Sequence, residues 1–161
     1  MSTDMLTFRS LLEDDCDFIL QHWVGKSSIF HENDRNQLLS KIRDINTKTY
    51  DGRYCEMFGI LSDNTLVGTI SFYQRESDVA ENSVYFGIEI GEENRMKGLA
   101  TNATLMAFKL AKEMGFEKMY SQVGLYNEAS LKLHAKCGFE IIEKTVSKRS
   151  GREVYNYVKV L

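Results

Sequence analysis

The stretch "EENRMKGLATNAT", residues 92 to 104, runs from an acidic, glycine-flanked turn into a helical pattern, with Gly98 and Ala100 where larger side chains are usual. A helix start presents backbone N–H groups that have no intrahelical partner, together with the positive end of the helix dipole. It therefore binds anions wherever nothing bulky blocks the approach. Gly98 and Ala100 remove that obstruction, and Arg95 and Lys97 set two cations beside the same donors. Residues 95 to 101, with Met96, Leu99 and Thr101 completing the turn, read as a cradle for a diphosphate. A plain strand-to-helix connection with a solvated basic turn would carry the same residues. Neither GxxxxGK[ST] nor GxGxxG occurs, so the two commonest phosphate loops are not the model for this one.

The elements that must position such a turn follow from periodicity. "MLTFRS" (5 to 10) alternates as a strand, and "EDDCDFILQHW" (13 to 23) opens with acids suited to a helix start. "NDRNQLLSKIRDI" (33 to 45) sets Leu38, Leu39, Ile42 and Ile45 at helical spacing, so the two helices should pair. "RYCEMFGIL" and "TLVGTISFY" flank "SDN" as a hairpin, and "SVYFGIEI" (83 to 90) follows a polar loop as the next strand. After the opening stretch, Leu99, Ala103, Met106, Ala107, Leu110, Ala111 and Met114 form one stripe ending at the capping Gly115. "KMYSQVGL" reads as a strand and "NEASLKLHAKCG" as an asparagine-capped helix closed by glycine. "FEIIEKTV" and "EVYNYVKV" then make a terminal hairpin. The expected architecture is an α/β (α+β) single domain over residues 1 to 161, with one mixed sheet.

Bulk properties narrow the function classes. The chain has 161 residues, 43% of them hydrophobic, and no proline. Its 20 basic and 23 acidic residues are spread out, for a net charge of −3, which argues against nucleic acid as a partner. No apolar run approaches the roughly 18 residues of a membrane span, and the start lacks a signal-peptide pattern, so a soluble, cytoplasmic protein is expected. Cys16, Cys55 and Cys137 are widely spaced without a CxxC pair, and His22, His31 and His134 lack ligand spacing; no disulfide and no metal are expected.

Arg95-x-x-Gly98-x-Ala100 resembles the Q/R-x-x-G-x-G/A acyl-CoA-binding motif of the GNAT superfamily of N-acetyltransferases. "GIEIGEENRMKGLAT" looks like that family's fourth strand and pyrophosphate loop, and "NEASLKLHAKCGFE" like its N-x-x-(A/S) helix ending in Gly-Phe, here Asn127 to Phe139. The order of elements matches over essentially the whole chain. The resemblance implies a mostly antiparallel sheet of about seven strands flanked by about four helices, with strands 4 and 5 splayed around acetyl-CoA. It implies acetyl transfer from acetyl-CoA to an amine, without a metal.

Carried over residue by residue, Ile88, Glu89 and Ile90 would pair with the pantetheine arm, Arg95 to Thr101 would hold the pyrophosphate, and Asn127 would lie beside the arm as well as capping its helix. Gly87 suits a bulge, a close backbone approach or simple packing. Direct attack by an amine needs a base for its proton and an acid for the departing thiolate. Glu89 is the candidate base, because alternation sets it with Tyr85 and Gly87 on the face opposite Phe86, Ile88 and Ile90; it would equally suit a solvated strand position. Many members carry tyrosine seven residues after the asparagine; here that position is His134, the candidate acid, with Tyr126 and Tyr120 behind it. Cys137, at a helix C-terminus, is a poor nucleophile.

The acceptor should meet residues 22 to 34 and 144 to 156, where Trp23, Phe30, His22 and His31 would line a pocket or form a small core. The arrangement is similar to the branch that acetylates protein N-termini, such as ribosomal-protein alanine acetyltransferases. A small amine such as a polyamine is the other acceptor class, and the acids at 13 to 17, Glu32 and Asp34 would either attract it or form a solvated, negatively charged helix end; a catalytically silent acyl-CoA-binding module is the alternative function, and a homodimer is left open.

Overall fold

The alternating stretches fold as strands and the 3.6-periodic ones as helices in a computed structural model that describes residues 5–23, 30, 34–47, 49–50, 52–95 and 98–161. The strands are β1 (Leu6–Ser10), β2 (Arg53–Ser62), β3 (Thr65–Tyr73), β4 (Ser83–Ile90), β5 (Lys118–Gly124), β6 (Glu140–Val146) and β7 (Glu153–Val160). The helices are α1 (Cys16–His22), α2 (Arg35–Ile45), α3 (Glu76–Glu81), α4 (Leu99–Glu113) and α5 (Glu128–Lys136). They build one sheet in the order β1-β2-β3-β4-β5-β7-β6, with a two-residue strand, Thr49–Tyr50, added beside the start of β2. Every pairing is antiparallel except β4 with β5.

Asp63 and Asn64, both at positive φ, close the β2–β3 hairpin as the "SDN" signal predicts. The fifth helix, α3, is an addition to the four expected. "ESDVAE" has no apolar period, and the segment is held by local bonds instead: the Asp78 carboxylate accepts from the Arg75 N–H at 2.8 Å and its Nε at 3.0 Å, and Asn82 ends the turn at φ 53°.

Two cores lie on opposite faces of the sheet. One gathers Ile70, Phe72, Val84, Phe86 and Ile90 under α4; the other packs Cys16, Ile19, Leu38 and Ile42 of the paired α1 and α2 against Met57 and Leu66. Along α4 the buried residues are Leu99, Ala103, Thr104, Ala107 and Ala111. Met114 is 39% exposed, because it is the C-cap residue and has already left the helix.

Gly87 pairs with Ser71 in unbroken register, and a Cβ there would find its nearest atom at 3.5 Å, so it is a packing glycine and no bulge forms. The glycine that permits a close approach is Gly68, opposite Ile90: an added Cβ would collide with the Glu89 carbonyl oxygen and stand 3.1 Å from the Ile90 Cα. Gly68→Ala should lower the urea unfolding free energy by about 1–3 kcal/mol through overpacking, with Gly87→Ala near neutral. Equal midpoints for the two variants would contradict that account.

Among the described residues no helix is long and apolar enough to cross a membrane, and no group of His, Cys, Asp or Glu is arranged to hold a metal ion.

Candidate active site

The parallel pairing of β4 and β5 spans only Ser83 with Lys118, Val84 with Met119 and Tyr85 with Tyr120. Beyond it β4 stays paired with β3 as far as Ile90, and β5 with β7 as far as Gly124. Each strand therefore keeps one partner and turns its other backbone edge to a widening gap. The gap opens at the C-terminal ends of the parallel pair, where open α/β sheets bind ligands. A groove of about 560 Å³ runs from it, floored by Ile88, Glu89 and Ile90.

One wall of the groove is the start of α4, where Gly98, Leu99, Ala100 and Thr101 all line it. Gly98 is the N-cap at φ +75°, a left-handed conformation that L side chains rarely adopt, and a Cβ added there would point into open space. The first ladder bond runs from Asn102 N–H to the Gly98 carbonyl at 3.3 Å, so the amides of Leu99, Ala100 and Thr101 precede the ladder, and among the described residues no side-chain cap is found there. Arg95 lines the same wall, its Nε donating to the Ile90 carbonyl at 3.2 Å, which ties the turn to the strand end. Met96 and Lys97 lie outside the described residues.

The opposite wall is α5. Asn127 lines the groove while its side-chain oxygen accepts from the Ser130 N–H at 3.2 Å, so it is the helix cap in fact as well as in pattern. Asn94, Lys132 and Lys136 also line the groove and were not anticipated. The two lysines stand four apart, the one signal in the sequence that would have grouped them on one helix face.

Glu89 is half-buried and borders both the groove and a second, smaller recess on the α1–α2 side of the sheet. That recess is lined by His22, Trp23, Thr69, Gly91 and Glu92 and shares Glu89, Ile90 and Arg95 with the groove. Trp23 and Phe30 are both buried, with ring centroids 6.0 Å apart; the pair belongs to the core, and Trp23 lines the recess as well. His31 and Glu32 lie outside the described residues.

His134 does not join the others. It is 2% exposed, packed between Phe139 and Tyr157 at centroid distances of 4.6 and 4.8 Å, and is not among the groove residues. Its Nδ1 lies 2.7 Å from the Ser130 carbonyl, which can only accept; that assigns the proton to Nδ1 and leaves Nε2 to accept from the Ser121 hydroxyl at 2.8 Å. Burial pushes its pKa below the ordinary 6.5, partly offset by the bond to Ser130. A neutral ring with both nitrogens engaged is a strut between α5 and β5. Tyr120 donates to Glu81 at 2.7 Å, and Tyr126 is 66% exposed beneath the Arg152 guanidinium; neither lines the groove. Cys137 is buried, and burial raises its thiol pKa, in keeping with a poor nucleophile.

The acids of the first helix are engaged by arginines: Asp15 with Arg9 at 2.8 Å, Asp17 with Arg35 at 3.0 Å and Glu13 with Arg43. Asp34 caps α2, accepting from the Asn36 N–H at 2.7 Å.

A splayed parallel pair with a helix N-terminus at its mouth is a ligand-binding arrangement, and the comparisons give its class. The family model described as acetyltransferase (GNAT) domain matches residues 5–140. This chain belongs to that family and is an acyltransferase. No curated protein matches it by sequence. Among solved structures it is similar to the acetyltransferase from Salmonella typhimurium that modifies the N-terminal serine of ribosomal protein L7/L12, with 15% identity, TM-score 0.82, and 99% and 96% of the two chains covered. It is also similar to a dodecameric spermidine N-acetyltransferase from Vibrio cholerae, with 22% identity, TM-score 0.76, and 96% and 93% covered. The microcin C7 self-immunity acetyltransferase, solved with acetyl-CoA and AMP, is a third, with 16% identity, TM-score 0.75, and 99% and 94% covered. At these identities the likeness is one of fold.

Proposed function

We propose that this chain, working as one domain in the cytoplasm, moves an acetyl group from acetyl-CoA to a primary amine by direct attack within a ternary complex. The observation that carries the reading is the groove joining the β4–β5 gap to the bare start of α4. The residues fit the coenzyme: a glycine N-cap whose missing side chain leaves space, unladdered amides behind it, and an arginine tethered alongside. The amides of Leu99, Ala100 and Thr101, with Arg95, Gly98 and the adjoining Met96 and Lys97, would hold the diphosphate. Ile88, Glu89 and Ile90 would pair with the pantetheine arm, with Asn127 beside it. Acetyl-CoA, when bound, supplies an acyl group already activated as a thioester.

Glu89 borders groove and recess alike, which supports it as the carboxylate that would take a proton, through water, from an amine arriving on the recess side. His134 acts by holding α5 against the sheet, and water in the open groove protonates the departing thiolate. The acceptor is a protein N-terminus or a small amine such as a polyamine; the Salmonella and Vibrio relatives named above illustrate the two classes. A homodimer is compatible with the reading.

The test is thiol release from acetyl-CoA with a panel of peptides and small amines. Glu89→Gln should lower kcat about 100-fold while leaving acetyl-CoA affinity within a few-fold. Unchanged turnover would remove Glu89 from the proton path. The burial of His134 favours one second reading, a silent acyl-CoA-binding module that lacks a side-chain acid; tight acetyl-CoA binding with no thiol release on any acceptor would select it.

A further inference from the structure

We infer that the indole N–H of Trp23 selects acceptors that carry a carbonyl oxygen next to the reacting amine, an aminoacyl or peptide N-terminus rather than a polyamine. The inference rests on the acetyl-transfer reading of the same site.

Trp23 is 5% exposed, and its Nε1 is the one buried side-chain nitrogen or oxygen among the described residues without a hydrogen-bond partner. A buried donor left unsatisfied costs on the order of 1–3 kcal/mol, so such groups are rare in folded proteins and mark a place where a partner arrives from outside. The indole is not free to turn and find one. Phe18 packs edge-on at 5.7 Å, Phe30 lies at 6.0 Å, and the Trp23 backbone closes α1 by donating to the Ile19 carbonyl at 2.9 Å.

Gly91, which follows β4, leaves room beside the indole: a Cβ there would come within 2.8 Å of Trp23 Nε1 and 3.0 Å of Glu93 Oε1. Any side chain at that position would stand against the donor. The glycine therefore keeps the indole edge clear where both residues line the recess, two residues from Glu89. The recess has room for about one water-sized group, the size of a carbonyl oxygen. In an α-amino acyl group a single carbon separates the amine nitrogen from the carbonyl carbon, so an oxygen held at Trp23 keeps the amine on the Glu89 side of Ile90.

A polyamine offers only ammonium donors and cannot satisfy an N–H. It would need carboxylates for its distal charges, and Glu13, Asp15 and Asp17 are already paired with Arg43, Arg9 and Arg35.

Trp23 is the chain's sole tryptophan, so the ¹⁵N-labelled protein shows one indole N–H resonance. With coenzyme A present to prevent turnover, titration with alanylalanine amide should move that resonance downfield saturably, and 1,4-diaminobutane at equal concentration should not. In parallel, Trp23→Phe should cut the ratio of kcat/KM for the peptide over the diamine about tenfold, the value of one hydrogen bond to a buried donor. A resonance that ignores the peptide, or shifts identically with both amines because a resident water satisfies the indole, overturns the inference, as does a variant whose ratio is unchanged. The two readings fail separately. A shifting resonance with no thiol release on any acceptor sinks the transferase and leaves the donor; rapid peptide acetylation with an unmoved resonance does the reverse.

Discussion

Gly98→Asp is expected to weaken acetyl-CoA binding by at least about 100-fold, while Gly98→Asn weakens it only a few-fold. Two effects meet at this position and the pair of substitutions separates them. Gly98 sits at φ +75°, so any side chain costs roughly 1 kcal/mol of backbone strain, least for Asn and Asp, which tolerate the left-handed region best. That cost is shared by both variants. Only Asp adds a negative charge in the open space beside the first amides of α4, where the diphosphate would lie. Two unit charges about 4 Å apart interact by about 4 kcal/mol at an effective dielectric near 20, and repulsion of even half that size exceeds a factor of ten. The gap between the variants should narrow as salt is raised, because the groove is open to solvent. Isothermal titration at two ionic strengths reads all of this. Equal affinity for Asp and Asn would mean that the diphosphate lies elsewhere, and the cradle with it.

The start of α4 was legible because its logic is local: a helix start, a small residue and neighbouring cations can be read in seven consecutive letters. The strands around it were legible for the same reason, since alternation and the turn residues at Asp63 and Asn64 act over a few positions. What the sequence hid depends on contacts between distant segments. Gly68 looks like any strand glycine until β4 is brought against it and the Glu89 carbonyl takes the space. Gly87, for which a bulge, a close approach and simple packing all fit the sequence, is ordinary packing. The engagement of Glu13, Asp15 and Asp17 by arginines from β1 and α2 turns an apparently free acidic cluster into a set of ion pairs. Trp23 reads equally as core or lining, and only its unmet donor distinguishes the two. The short helix α3 escaped because side-chain bonds around Asp78 replace the apolar period that announces longer helices.

His134 is the sharpest case, and it yields the second large effect. It reads as a candidate acid because it stands seven residues after Asn127, where many members of the family carry tyrosine, and helical spacing sets it on the same side of α5 as Ser130. A residue on that side can face either the groove or the core, and this one faces the core, with Phe139 and Tyr157 on its ring and Ser121 on Nε2. His134→Ala should destabilise the fold by about 3 kcal/mol, since it opens a cavity and strands the Ser121 hydroxyl. His134→Gln, which keeps a neutral donor and acceptor, should cost less. The pH dependence carries the diagnosis. Burial holds the folded-state pKa below the ordinary 6.5, so the unfolded chain takes up the proton first as the solution is acidified. The stability contributed by the neutral ring is complete above about pH 6.5 and is lost as pH falls from there through the folded value. Tyr157 and Cys137, the nearby titratable groups, are both pushed upward by burial and stay neutral across that window. Urea melts between pH 7.5 and 5 should therefore show a decline in the native protein that His134→Gln removes. If the variant declines in parallel, the ring is not the group being protonated. If instead the variant keeps its stability but loses the alkaline limb of its kcat profile, the proton of His134 reaches the thiolate after all, and the strut is also the acid.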